Sequence, residues 1–133
     1  MRKVLLVLFV ALLAVSCEKE EENKFDYDLK LLHGTWRITE VKQNDGTFFD
    51  VTTTLGQSAF EPTYATFNAD GTYHGSGYFG DGTGIYTAEG KKITTFIDGV
   101  ELFSYTVVSL SGTECHLIMS GGSSSNEIKC KKQ

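Results

Sequence analysis

Three things are scarce in this chain, and each scarcity removes a class of function. No apolar run is long enough to cross a bilayer: the longest, Val4 to Val15, has 12 residues, about 18 Å as a helix against roughly 30 Å of hydrocarbon. Bases are few, 12 Lys and Arg against 17 Asp and Glu, for a formal net charge of −5. Nucleic acid, whose phosphates need clustered Lys and Arg, is thereby excluded as a partner. Catalytic groupings are missing as well. His33, His74 and His116 lie on separate segments with no metal-ligand spacing, and His74-Gly75-Ser76-Gly77 lacks the helix a nucleophilic serine turn requires. Gly80-Asp81-Gly82-Thr83-Gly84 lacks both the further acids of a calcium loop and the lysine of a phosphate loop. The chain reads as a non-enzyme with no cofactor or metal. Proline is nearly absent too, the single one being Pro62.

What is present begins with an address. Arg2 and Lys3 precede the apolar run, which ends in Leu13-Ala14-Val15-Ser16-Cys17. A basic and then apolar N-terminus of this length reads as a signal peptide, residues 1–16. Small residues directly before a cysteine resemble the bacterial lipobox, with Ala14 in place of the more usual leucine. The resemblance implies cleavage before Cys17, acylation of its thiol and a lipid anchor in a membrane. Cleavage would remove two bases and no acid, leaving a net charge of about −7. Residues 17–30 read as an acidic tether, with four glutamates just after Cys17 whose mutual repulsion keeps the segment solvated. Lysine followed by acids beyond the lipidated cysteine also resembles the signal by which one group of Gram-negative gut bacteria exports lipoproteins to the cell surface. The expected location is the outer membrane, on the surface or on the periplasmic side.

From Leu31 onward polar and apolar residues alternate, and turn signals recur at Asp45-Gly46, Asp70-Gly71, Asp81-Gly82, Glu89-Gly90, Asp98-Gly99, Ser111-Gly112 and Gly121-Gly122. Segments this short hold no crossover helices, so neighbours must pair antiparallel as a meander. One brief helix fits, from Leu55 to Glu61, ended by Pro62.

Strand register follows from matching like with like. A loop at Ala69-Asp70-Gly71 sets Phe67 opposite Tyr73 and Ala65 opposite Gly75, with Gly77 and Phe79 on the same face, which is the better interior. A two-residue turn at Asp98-Gly99 sets Thr95 opposite Leu102 and Ile93 opposite Ser104. The other face, with Phe96, Phe103 and Tyr105, is equally apolar, so the pattern alone does not orient the 92–105 hairpin, and a bulge is one way to resolve it. A last hairpin turning at residues 121–124 sets Cys115 opposite Cys130 and Leu117 opposite Ile128. With Cys17 acylated, these two cysteines are an even pair in an oxidising compartment, and the expectation is a disulfide.

About nine strands in a meander remove their exposed edges by closing into a barrel. Here a family resemblance enters. Leu32-His33-Gly34-Thr35-Trp36 resembles the Gly-x-Trp signature of lipocalins, and residues 31–133 as a whole resemble the lipocalin-like domains of bacterial lipoproteins. The resemblance implies an all-β, antiparallel up-and-down barrel of eight or nine strands. Its closed end is plugged by Trp36, beside Gly34, and covered by a base from the last strand, for which Lys129, Lys131 and Lys132 are candidates.

Two functions fit this reading. In the first, the barrel holds a small apolar or amphipathic ligand, with Phe67, Tyr73, Phe79 and Tyr86 as lining and the inward Gly75 and Gly77 leaving volume. In the second, the core is solid and surface aromatics such as Tyr64 and Tyr78 contact a protein or glycan.

Overall fold

The computed structural model describes residues 25–133; the signal peptide, Cys17 and most of the tether lie outside that range. Phe25 forms a parallel bridge with Gly90, and a one-turn helix α1 (Leu29–Leu32) follows, its first turn capped by the Asp28 carboxylate accepting from Lys30 N–H at 3.0 Å. Strand β1 (Gly34–Lys42) turns at Asn44-Asp45-Gly46 into a short β2 (Phe48–Asp50). Helix α2 (Thr54–Ala59) is capped by the Thr53 hydroxyl, which accepts from Gly56 N–H at 2.9 Å. The expected helix is thus present, shorter at its C-terminal side.

The remainder is a meander: β3 (Tyr64–Phe67), β4 (Thr72–Ser76), β5 (Gly82–Glu89), β6 (Lys92–Ile97), β7 (Val100–Leu110), β8 (Glu114–Gly121) and β9 (Ser124–Lys132), with a 3₁₀ turn at Gly77–Phe79. Consecutive strands from β3 to β9 pair antiparallel, and β1 closes the sheet by pairing with both β3 and β9. The result is an eight-strand barrel with β2 as an extra strand on the outer half of β1. Closure leaves no long unpaired edge.

The expected registers hold at β3–β4, where Phe67 faces Tyr73, and at β8–β9, where Cys115 faces Cys130 and Leu117 faces Ile128. The 92–105 hairpin is oriented by a bulge. Ile97 faces Val100 as the turn demands, but Thr95 faces Phe103 and Ile93 faces Tyr105, so Leu102 is the extra residue. Ile93, Thr95 and Tyr105 thereby share the interior, although a regular hairpin would set Ile93 and Tyr105 on opposite faces. Similar shifts at Thr39 in β1 and Val108 in β7 bend the wall.

The connections alternate between two ends. The β3–β4, β5–β6 and β7–β8 turns lie at the end where β1 begins, and α1 covers it. The β4–β5, β6–β7 and β8–β9 turns lie at the other end, together with the β1–β2 turn and α2.

Candidate functional site

The closed end is built around Trp36, which is 2% exposed. Its indole N–H donates to the Leu32 carbonyl at 2.8 Å, so α1 supplies the partner that a buried tryptophan needs. Lys132 is the covering base: its ammonium lies 5.1 Å from the Trp36 ring centre and donates to the Leu31 carbonyl at 3.0 Å. Position 34 is glycine for its backbone, whose φ of +130° side chains rarely adopt, and a Cβ there would also press to 3.2 Å on the Lys132 side chain. The other two candidates point elsewhere. Lys129 packs over Phe48 on the outer wall, and Lys131 is exposed.

Above Trp36 the barrel is filled by the aromatics that the sequence suggested as ligand lining. Phe67 contacts Tyr73 and Tyr86 with ring centres 5.3 and 5.0 Å apart, and Phe79 meets Tyr105 edge-on at 5.6 Å. The Tyr86 hydroxyl donates to the Asn68 carbonyl at 2.8 Å, and the Tyr73 hydroxyl to the Phe79 carbonyl at 3.3 Å. Burial pushes the Tyr73 phenol up to about 12 and raises that of Tyr105 well above its ordinary value. The space left among Trp36, Phe67, Phe79 and their neighbours is about 10 Å³, no more than one water.

The two glycines do not open a cavity there. A Cβ on Gly75 would collide with the Tyr73 hydroxyl and stand 2.6 Å from the Gly80 carbonyl oxygen, so Gly75 makes room for a tyrosine, not for a ligand. Gly77 has φ +71°, and a Cβ there would lie 2.5 Å from the Thr63 hydroxyl; it is glycine because the 3₁₀ turn begins there. The expectation that Phe67, Tyr73, Gly75, Gly77, Phe79 and Tyr86 line a ligand space is therefore corrected: they form or accommodate the packed core.

The usable cavity lies at the open end. It measures about 370 Å³ and is walled by Ile38 and Val41 from β1, Phe103 from β7, Met119 from β8, and Asn126 and Ile128 from β9. Phe60, just after α2, and Tyr78, in the 3₁₀ turn, complete it with rings 4.4 Å apart and 31° from parallel. Hydrogen bonds hold both lips. Phe60 N–H donates to the Gly56 carbonyl at 2.8 Å, Tyr78 N–H to the Thr63 hydroxyl at 3.0 Å, and Gly77 N–H to the Asp81 carboxylate at 2.9 Å. This volume falls in the range of small-molecule pockets, and the lining, apolar apart from Asn126 and the Tyr78 hydroxyl, suits an apolar body with few polar groups.

None of the six residues expected as lining borders this cavity. Sequence reasoning missed Ile38, Val41, Phe60, Phe103, Met119 and Ile128. Tyr78, expected as a surface aromatic, is 49% exposed and borders the cavity as well, whereas Tyr64, the other one, lies half-buried beneath the Arg37 guanidinium at 5.8 Å. The signal for Phe60 was its position between a helix and Pro62, where the chain must turn back over the barrel.

The cysteine pair is also corrected. Cys115 and Cys130 face each other as expected, but both are free, buried thiols. The reason is the type of cross-strand position. Lys132 N–H donates to the Thr113 carbonyl at 2.8 Å, and counting back by twos from that pair puts Cys115 and Cys130 in a hydrogen-bonded pair. Such positions hold their Cβ atoms about 5.5 Å apart, beyond the roughly 3.5–4.5 Å a disulfide spans. A hydrogen bond to Cys115, then burial, raises the Cys130 thiol well above its ordinary value, so it stays protonated and unreactive.

On the outer wall, Glu127 accepts from Lys42 at 3.1 Å and meets the His116 imidazole, and those two contacts, in that order, lower its carboxyl. This is a partly solvated polar ladder across β1, β8 and β9, with the Lys42–Glu127 ion pair in it. Among the described residues no three His, Cys, Asp or Glu side chains converge as a metal site would require.

A closed up-and-down barrel, a Gly-x-Trp opening its first strand and a last-strand lysine over that tryptophan together form a lipocalin-like arrangement. A family profile described as a lipocalin-like domain matches residues 32–115, more than half of the chain. The chain belongs to the lipocalin-like domain family. No curated protein and no solved structure matches it. For a lipocalin-like barrel, ligand binding is the function that the architecture fits in general, and the open-end cavity is where this member has room for it.

Proposed function

We propose that this protein is a membrane-anchored binding protein that holds a small apolar or amphipathic molecule in the cavity at the open end of its barrel. One observation carries the reading: about 370 Å³ of largely apolar space lies at the mouth, while the closed half is filled. A molecule with a body of about ten carbons fits such a volume, with its polar end near Asn126 and the Tyr78 hydroxyl at the rim. Binding there needs no catalytic group and no cofactor.

The anchor is Cys17, with the mature chain displayed on the outer membrane. Phe25 meets Gly90 at the closed end, and the eight residues from Cys17 to Phe25 can span at most about 28 Å. The tether therefore joins the barrel at the end opposite the cavity mouth.

Val41→Trp tests the cavity reading. The larger side chain should occupy the mouth and abolish uptake of an apolar fluorescent probe while the β-type circular dichroism is retained. Undiminished probe binding by the folded variant would reject the assignment. For the anchor, Cys17→Ala should leave the protein unprocessed or soluble, and a variant that is cut before residue 17 and still partitions into detergent as the native protein does would reject it.

A further inference from the structure

The cavity has an electrostatic setting that its apolar lining does not reveal. None of the residues walling it carries a charge. The loops around it, residues 43–47, 51–63, 77–81, 98–99 and 122–123, contain no lysine or arginine. They carry Asp45, Glu61, Asp81 and Asp98, with Glu101 two residues beyond the β6–β7 turn. Glu61 follows Phe60 directly, and Asp81 holds the turn that presents Tyr78. Glu61 and Asp81 thus stand beside the two aromatic lips, and Asp45, Asp98 and Glu101 lie in or next to turns at the same end of the barrel. Lys42 and Lys129, each next in sequence to a wall residue, are engaged on the outer wall, Lys42 with Glu127 at 3.1 Å and Lys129 over the Phe48 ring at 4.2 Å.

A ring of one sign around a low-dielectric concavity focuses its potential into the opening. The faces of Phe60 and Tyr78 add to the same preference, since their π-electrons attract cations. An anionic head group would meet no counter-charge among the described residues of the cavity and would lose hydration without compensation.

Building on the assignment of the mouth cavity as a ligand site, we propose that it selects amphiphiles with a cationic head, an alkyl or aryl ammonium, over those ending in a carboxylate or phosphate. The apolar tail enters the space between Ile38, Met119 and Ile128. The head stays at the lips, among the acids.

Calorimetric titration of the purified protein with decyltrimethylammonium, decanol and decanoate at neutral pH separates tail from head. At low ionic strength the ammonium should bind about tenfold more tightly than the alcohol, and decanoate more weakly than either. The ammonium's advantage should shrink as salt shortens the screening length. Combining Glu61→Gln, Asp98→Asn and Glu101→Gln, none of which holds a lip, should cut that advantage severalfold while leaving decanol binding unchanged. Asparagine tolerates the φ of +55° at position 98. Equal affinity for all three probes, or an advantage undiminished in the combined variant, would overturn the head-group preference and leave the cavity standing. Failure of decanol and the ammonium alike would overturn the cavity assignment itself.

Discussion

The two ends of the barrel are made from the same strands and the same alternation, yet one is solid and the other hollow. At the closed end Trp36, Phe67, Tyr73 and Tyr86 fill the interior, and α1, Lys132 and the Phe25–Gly90 bridge cover it. At the open end the inward positions are mostly side chains without rings, Ile38, Val41, Met119 and Ile128, with Phe103 the one strand aromatic, and Phe60 and Tyr78 reach in from the connections. The difference teaches that inward-facing and ligand-facing are separate properties. Alternation decides the first; the size of the inward side chains at each level of the barrel decides the second.

If the closed end carries the stability, Trp36→Ala is the severest single change. It removes the plug, the partner of the Leu32 carbonyl and the ring beneath Lys132, and should cost about 3–5 kcal/mol. Chemical denaturation measures it; a loss below about 1 kcal/mol would mean that the core lies elsewhere.

The next largest effect is alkaline. The fold favours the neutral phenol of Tyr73, so its contribution is complete below the ordinary tyrosine value near 10 and drains as pH rises through the folded value of about 12. In that window the unfolded chain has lost a proton that the folded chain retains, a loss on the order of 2–3 kcal/mol. Tyr105, also raised by burial, acts in the same direction. Denaturation midpoints followed above pH 10 should fall steeply in the native protein and less steeply in Tyr73→Phe.

How much of this was legible in the sequence depended on the range of the interaction. Local turn chemistry and period-two patterning placed Phe67 opposite Tyr73 and Cys115 opposite Cys130, because a hairpin's register is set within about ten residues. The Gly-x-Trp resemblance placed Trp36 and narrowed the covering base to three lysines, but the choice of Lys132 depends on how β9 meets β1 across the closure. A bulge in the 92–105 hairpin was one resolution the two apolar faces suggested, but its place at Leu102 was not readable, since barrel curvature selects the extra residue. The cavity was misplaced for a related reason. Gly75 and Gly77 look like empty volume in a one-dimensional pattern, and only the packed molecule reveals the Tyr73 hydroxyl and the Thr63 backbone already in that space. The cysteine register was readable, whereas its hydrogen-bonded character, which decides against a disulfide, needed the ladder itself.

Gly75→Ala sharpens the contrast. If Gly75 served a ligand, adding a methyl group would weaken binding at little cost to the fold. Because the methyl would instead strike Tyr73 and the Gly80 carbonyl, the expected outcome is a destabilisation of about 2 kcal/mol with probe affinity unchanged. Thermal denaturation and probe titration on the same sample distinguish the two.

The smallest effect on stability belongs to the mouth, and Phe60→Ala measures it. Phe60 is half-buried, stacks on one partly exposed ring and touches the core from its edge. Its removal opens the cavity to solvent and creates no sealed void, so the penalty for an enclosed empty space does not apply. The fold should lose about 1 kcal/mol, well short of the 3–5 kcal/mol typical of a fully buried phenylalanine. Probe binding should weaken at the same time, because one of the two lips is gone. A loss as large as that of Trp36→Ala would make Phe60 part of the core and dissolve the distinction between a solid end and a hollow one. A small loss with undiminished probe affinity would keep that distinction and remove Phe60 from the lip.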